Sequence, residues 1–204
     1  MKLSSRRIWC CCGLLLAIAA GVWLMTRAPA QHPDTAHFLQ RRAGVELVDG
    51  YRSYSSVAEV GKALQARRLG ASRRTLARPP DPRYPPHALD TLTVEQLALL
   101  DTQGRLSLQF FNDRLFEIDF KPDDAAACAA ALKRADPQLQ RDRNGRAEHS
   151  VGDRRLATNV GLASSHVGEY LGTEPYVLWQ DLRLTRERDE WDRRFGALPY
   201  KMVE

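Results

Sequence analysis

Leu106-Ser107-Leu108-Gln109-Phe110-Phe111-Asn112-Asp113-Arg114-Leu115-Phe116-Glu117-Ile118-Asp119-Phe120 is the stretch that decides the fold. Leu106, Leu108 and Phe110 alternate with their neighbours, and the pattern resumes as Phe116, Ile118 and Phe120 beyond the triplet Asn112-Asp113-Arg114. Period-two alternation is the mark of a half-buried strand, so the stretch predicts a β-hairpin. Parity tests its register, because a slip of one residue moves every side chain to the other face. A two-residue turn at Asn112-Asp113 would set Leu108 opposite Glu117 and Leu106 opposite Asp119. Including Arg114 in the loop pairs Phe110 with Phe116, Leu108 with Ile118 and Leu106 with Phe120. That gives one wholly apolar face, so the three-residue loop is expected.

A lone hairpin is marginal in water, so a third strand is expected beside it. The stretch Thr91 to Leu100 reads either as a helix capped by Thr93 or as a strand through Leu92 and Val94, and the strand is preferred. Pro122-Asp123-Asp124 then opens an alanine-rich helix from Ala125 to Arg134. Acids stand at its positive end, and Lys133 and Arg134 at its negative end. The predicted class is therefore α+β, with small antiparallel sheets and helices packed on one face.

Upstream, Val45, Leu47 and Tyr51 predict a short strand with a turn at Asp49-Gly50. Ser56 and Glu59 form a capping box for a helix from Val57 to Leu69, which Gly70 ends in a left-handed conformation. The Arg- and Pro-rich stretch 71–88 reads as an extended linker. Its solvated charge suffices to explain it, and Arg67, Arg68, Arg73 and Arg74 are the candidate contacts to an anionic surface.

Downstream, 138–152 is polar with a turn at Asn144-Gly145. Leu156, Thr158, Val160 and Leu162, and then Tyr176, Leu178, Gln180, Leu182 and Leu184, predict two more strands. Leu184, Trp191 and Phe195 mark a closing helix from about Thr185 to Gly196. This strand-strand-helix order repeats that of Leu106 to Arg134, which suggests a duplication.

The N-terminus fixes the expected compartment. Ile8 to Met25 is uncharged and apolar, preceded by Lys2, Arg6 and Arg7 and followed by Arg27. Eighteen such residues reach the lower limit for a helix that crosses a bilayer. The basic excess before the run predicts a single-pass anchor in a bacterial inner membrane with the body in the periplasm. The alternative is a secretory signal, cleaved after Ala30 at Ala28-Pro29-Ala30. The expected organisation is a leader over 1–30, a tether over 31–43, an α+β region over 44–137 and a second region over 138–204.

Charge and cysteine usage narrow the function classes. The formal charge of +5 falls to 26 basic against 25 acidic residues once the leader, with four basic groups and no acids, is set aside. A near-neutral exported body is a poor nucleic-acid binder, and no nucleic-acid partner is expected. Cys10, Cys11 and Cys12 lie in the leader, so the body holds one thiol, Cys128, and no internal disulfide. Placed among alanines on a helix, that thiol is read as buried and inert.

No phosphate-binding glycine loop, dinucleotide fingerprint or zinc helix is present, and the five histidines lack ligand spacing, so no metal or cofactor is expected. Ser164-Ser165-His166 with Glu169 has the residue types of a nucleophile and base. It lacks a nucleophile elbow and reads first as loop hydroxyls beside an exposed histidine. Glu117 and Asp119 share one strand face about 7 Å apart, as a carboxylate pair for glycan hydrolysis would. They equally suit the polar outer face of a half-buried sheet. The sequence thus predicts an envelope protein whose body is a binding or structural module, docking another envelope protein through the Phe111 face or the final helix. A small hydrolase acting on cell-wall or glycan material through Glu117 and Asp119, or Ser164 and His166, is the alternative.

Overall fold

The computed structural model describes residues 32–196 apart from Asn144, with the backbone of 201–203. The expected membrane segment Ile8 to Met25 and the Ala30 cleavage site lie outside the described residues. Among the described residues, no helix is long and apolar enough to cross a membrane.

The fold is α+β. In chain order the elements are α1 (Thr35–Leu39), β1 (Glu46–Val48), β2 (Tyr51–Arg52), α2 (Val57–Ala66), β3 (Ser72–Ala77), β4 (Ala88–Val94), β5 (Gly104–Phe111), β6 (Leu115–Pro122) and α3 (Ala125–Ala135). Then follow β7 (Gln140–Arg141), β8 (Ala147–Val151), β9 (Arg154–Thr158), α4 (Val160–Ala163), α5 (His166–Tyr170), β10 (Val177–Asp181), α6 (Leu182–Phe195) and β11 (Lys201–Val203). Among the described residues, β1 and β2 pair as a small two-stranded sheet, and the other nine strands form one large antiparallel sheet in the order β11-β3-β4-β5-β6-β10-β9-β8-β7. It is continuous across both sequence regions, with β6 and β10 joined from Val177↔Phe120 to Gln180↔Glu117.

The hairpin β5–β6 pairs Leu106 with Phe120 and Leu108 with Ile118, as parity demands. The odd residue, however, is not in the turn. Phe111 and Arg114 exchange backbone hydrogen bonds of 2.9 and 3.2 Å around a two-residue turn. Asn112 (φ 48) and Asp113 (φ 59) both take positive φ, as a type I′ turn requires. The register shifts between Gln109 and Phe110, so that Phe110 faces Leu115 in place of the expected Phe116. A β-bulge supplies the extra residue, restores the apolar face and leaves Phe116 to join Phe111 on the opposite side.

Both faces of the sheet are therefore covered, where one was expected. On the first, Leu106, Leu108, Phe110, Ile118 and Phe120 pack with Val57, Val60 and Leu64 of α2 and Cys128 and Leu132 of α3. On the second, Phe111 and Phe116 pack with Phe38 of α1 and Leu184 and Trp191 of α6. Strands β3 to β6 and β7 to β10 make two meanders, each followed by a helix. A two-fold axis relating antiparallel β6 and β10 must stand perpendicular to the sheet and would keep both helices on one face. Because α3 and α6 lie on opposite faces, the two halves are not related by such an axis.

Several boundaries move for identifiable reasons. The Ser56–Glu59 capping box opens α2 as expected, but Arg68 (φ 59), not Gly70, takes the left-handed position after it. Strand β9 stops at Thr158. The Asn159 side chain accepts from Tyr176 N (2.8 Å) and donates to the Glu174 carbonyl (2.9 Å), so Val160 and Leu162 fall in α4. The last helix starts at Leu182, earlier than expected, because Asp181 accepts from the Arg183 and Leu184 amides at 2.9 and 3.4 Å. Burial alone would raise the Asp181 carboxyl, but hydrogen bonds from Arg183 and Ser53 outweigh it and hold it below the usual carboxylate range.

Two segments read as connectors belong to the body. Ser72–Ala77, inside the expected linker, is a sheet strand between β4 and β11. The expected tether carries α1, whose Phe38 is wholly buried. It is held by the hairpin turn: Arg114 donates to the carbonyls of Phe38 (2.6 Å) and Gln40 (2.9 Å), and Asn112 to Phe38 (3.1 Å).

Candidate functional site

The residues singled out by sequence are dispersed. Glu117 and Asp119 do share a face, but Glu117 is a packed side chain. The Gln109 amide donates to one of its oxygens and the Gln180 amide to the other at 2.5 Å. Burial raises the Glu117 carboxyl above its ordinary range, although the Gln180 hydrogen bond and Arg188 pull it down. Burial likewise raises Asp119, against the lowering effect of Lys121 and Arg105. Ser164 ends α4, and the His166 side chain is fully exposed, 3.7 Å from Glu169. The hydroxyl with a clear role is that of Ser165, which accepts from Gly168 N (3.2 Å) and donates to the Leu162 carbonyl (2.6 Å). It caps α5 and serves structure.

The basic candidates are also used locally. Arg67 pairs with Asp49 at 2.6 Å and donates to the Tyr51 hydroxyl at 3.3 Å. Arg68 ends α2, and Arg73 grips the buried Asp90 at 2.8 Å. Arg74 is exposed on β3. These four divide between a helix end and a strand and form no common face of an extended linker. Phe111 is wholly buried beneath α6, so it offers no docking surface. Cys128 is wholly buried, which pushes its thiol up to about 12. Among the described residues, no group of three or more His, Cys, Asp or Glu side chains could hold a metal.

The site that the sequence did not reveal lies in the proline-rich stretch. Arg78 N donates to the His87 carbonyl at 3.1 Å, so 78–87 is a wide hairpin connection between β3 and β4. Between this loop, α1 and α6 is a cleft of about 520 Å³, largely apolar and within the small-ligand range. Neither it nor a second cleft of about 370 Å³ beside α3 is lined by Glu117, Asp119, Ser164 or His166.

The loop is fixed at its back. Prolines have no N–H, and their carbonyls find donors on the body: Trp191 Nε1 reaches Pro85 O at 3.3 Å, and Asn112 Nδ2 reaches Pro86 O at 2.9 Å. The floor is a stacked tier. The Arg78 guanidinium lies 4.8 Å from the Trp191 ring centre and donates to the Gly196 carbonyl at 3.1 Å. The His87 ring lies 4.1 Å from Trp191 and 5.2 Å from Phe111.

Burial pushes His87 down to about 4; Asp192, 3.5 Å away, opposes this and Arg78 reinforces it. The unfolded chain therefore takes up this proton first, near 6.5. Stability should fall as pH drops from 6.5 toward 4, with a slope approaching about 1.4 kcal/mol per pH unit. The raised Glu117 and Asp119 carboxyls act in the opposite sense, so the His87 share of the slope is the difference between the wild type and His87→Phe. Urea midpoints at pH 7, 6 and 5 check this; the slope should flatten in His87→Phe, and an unchanged slope would assign it to other groups.

The fold and site define an α+β body built on a nine-stranded antiparallel sheet, with an apolar cleft beside α1. No family model matches the chain, and no curated protein is significantly similar to it.

Proposed function

We propose that the chain is a membrane-anchored or exported envelope protein whose body is a non-catalytic binding or structural module. The observation that carries this reading is the apolar cleft, formed by packed side chains and lined by none of the candidate catalytic residues. The apolar run Ile8 to Met25, with its basic flank, supports a single-pass placement in a bacterial inner membrane with the body in the periplasm. Another envelope protein is the partner expected from that placement. The polar outer face of α6 is the surface left for it, since Phe111 is covered.

Fractionation of cells expressing a C-terminally tagged chain, followed by intact mass, tests the placement. A full-length mass in the membrane fraction is expected. A soluble chain beginning at Gln31 would make the module diffusible, and a full-length chain in the cytosol would overturn the reading.

The raised carboxyls of Glu117 and Asp119 favour one rival, a small hydrolase of cell-wall or glycan material. Against it, both Glu117 oxygens are engaged by glutamine amides. Hydrolysis of purified cell-wall glycan that is lost in Glu117→Gln with the fold retained would establish the rival.

A further inference from the structure

The cleft has a position as well as a shape. Its lining includes His32, Thr35 and Leu39, and the apolar run ends at Met25, seven residues before His32. At no more than 3.3–3.6 Å per residue, that connection spans at most about 25 Å. Because α1 is docked on the body through Phe38 and Arg114, the cleft cannot drift away from this short connection. On the proposed anchored placement, on which this inference rests, it lies within reach of the membrane surface.

The lining restricts what can enter. Pro79, Pro80 and Pro82 supply no backbone donors to an occupant, and the carbonyls of Pro85 and Pro86 already accept from Trp191 and Asn112. Of the polar side chains that line it, Arg78 already donates to Gly196 and Asp81 already accepts from Arg83, so a peptide laid against the proline walls would bury amides with few partners there, at a cost of about 1–3 kcal/mol for each group left unsatisfied. A hydrocarbon chain has no such groups. Leu39, 44% exposed at the edge of the cleft, extends its apolar surface toward solvent. We propose that this cleft, between the Pro79–Pro86 loop, α1 and Trp191, holds an acyl chain of a membrane phospholipid.

The test uses the full chain reconstituted in vesicles of phosphatidylcholine and phosphatidylglycerol containing a phospholipid with a photoreactive diazirine on one acyl chain. After irradiation, adducts are mapped by peptide mass spectrometry. Adducts are expected on peptides spanning 77–88 or containing Trp191, in addition to those on the Ile8 to Met25 segment. Ala88→Trp, which fills the cleft, should reduce the cleft adducts at least about tenfold, the fall expected from losing 1.4 kcal/mol of affinity. Leu39→Asp, at an exposed position, should reduce them without disturbing the fold. Adducts confined to the Ile8 to Met25 segment would overturn the lipid site and leave the membrane placement standing. Cleft adducts unchanged in both variants would also overturn it, as surface labelling. A chain that stays soluble and unlabelled would overturn the placement and this inference together.

Discussion

Replacing Arg114 by methionine is expected to lower the folding stability by about 3–5 kcal/mol, read from the urea midpoint at constant slope. Arg114 is 0% exposed although it follows a tight turn. Its guanidinium meets the Glu187 carboxylate at 2.6 Å and donates to the carbonyls of Phe38, Gln40 and Phe111. The pair joins the hairpin, α1 and α6, and removing the cation strands a buried carboxylate and several carbonyls at once. Adding Glu187→Leu should recover part of the loss, because the unpaired charge is then gone. Recovery stays incomplete, since the Phe38 and Gln40 carbonyls still lack their donor. Amide exchange across 32–43 should accelerate in the single variant, as the turn no longer holds that segment. A loss below about 1 kcal/mol, the size of a solvent-exposed pair, would show that water reaches the site.

The same turn shows how far sequence carried the fold. Alternation located β5 and β6, and parity gave the pairing of Leu106 with Phe120 and Leu108 with Ile118. Parity counts residues but does not say where the odd one sits, so the pattern alone places it in the loop, whereas it forms a bulge at Leu115-Phe116. Polar turn residues are ordinarily solvated, and nothing local distinguishes this triplet from a surface turn. Asn112 nevertheless bonds Pro86, Phe38 and Ala88, and Asp113 accepts from Val57 N at 2.9 Å and Arg41 at 2.7 Å. All these partners lie more than twenty residues from the turn, where local patterning carries no information.

The cleft was illegible for a related reason. Prolines and arginines score as linker wherever a sequence window holds too few apolar side chains to pack. Here Trp191, contributed from α6 more than a hundred residues away, supplies the packing. Arg78, counted as one more solvated charge, is only 8% exposed because its guanidinium lies over that indole. The candidate carboxylates fared differently. Alternation puts Glu117 and Asp119 on one face, but β10, which brings Gln180 against Glu117, pairs with β6 only through a long-range contact. A face that reads as solvated from the hairpin alone is thereby half-closed.

Trp191→Ala is expected to lower stability by about 3–5 kcal/mol, the range for truncating a fully buried large aromatic. The indole is 0% exposed, packs on His87 and Phe195 at 4.1 and 5.4 Å between ring centres, and carries the Arg78 guanidinium. Truncation also frees the Pro85 carbonyl from its donor, so loss of packing and release of the proline loop occur together. Trp191→Phe separates the two. It keeps an aromatic body in the tier and removes the N–H, so the loss attributable to the hydrogen bond is about 1 kcal/mol. In that variant the sheet should stay intact by circular dichroism, while proteolytic nicking within 79–86 increases under native conditions. If the phenylalanine variant is as unstable as the alanine variant, the hydrogen bond to Pro85 governs the cleft. If neither variant alters nicking of the loop, Asn112 alone fixes it through Pro86, and Trp191 acts only as core.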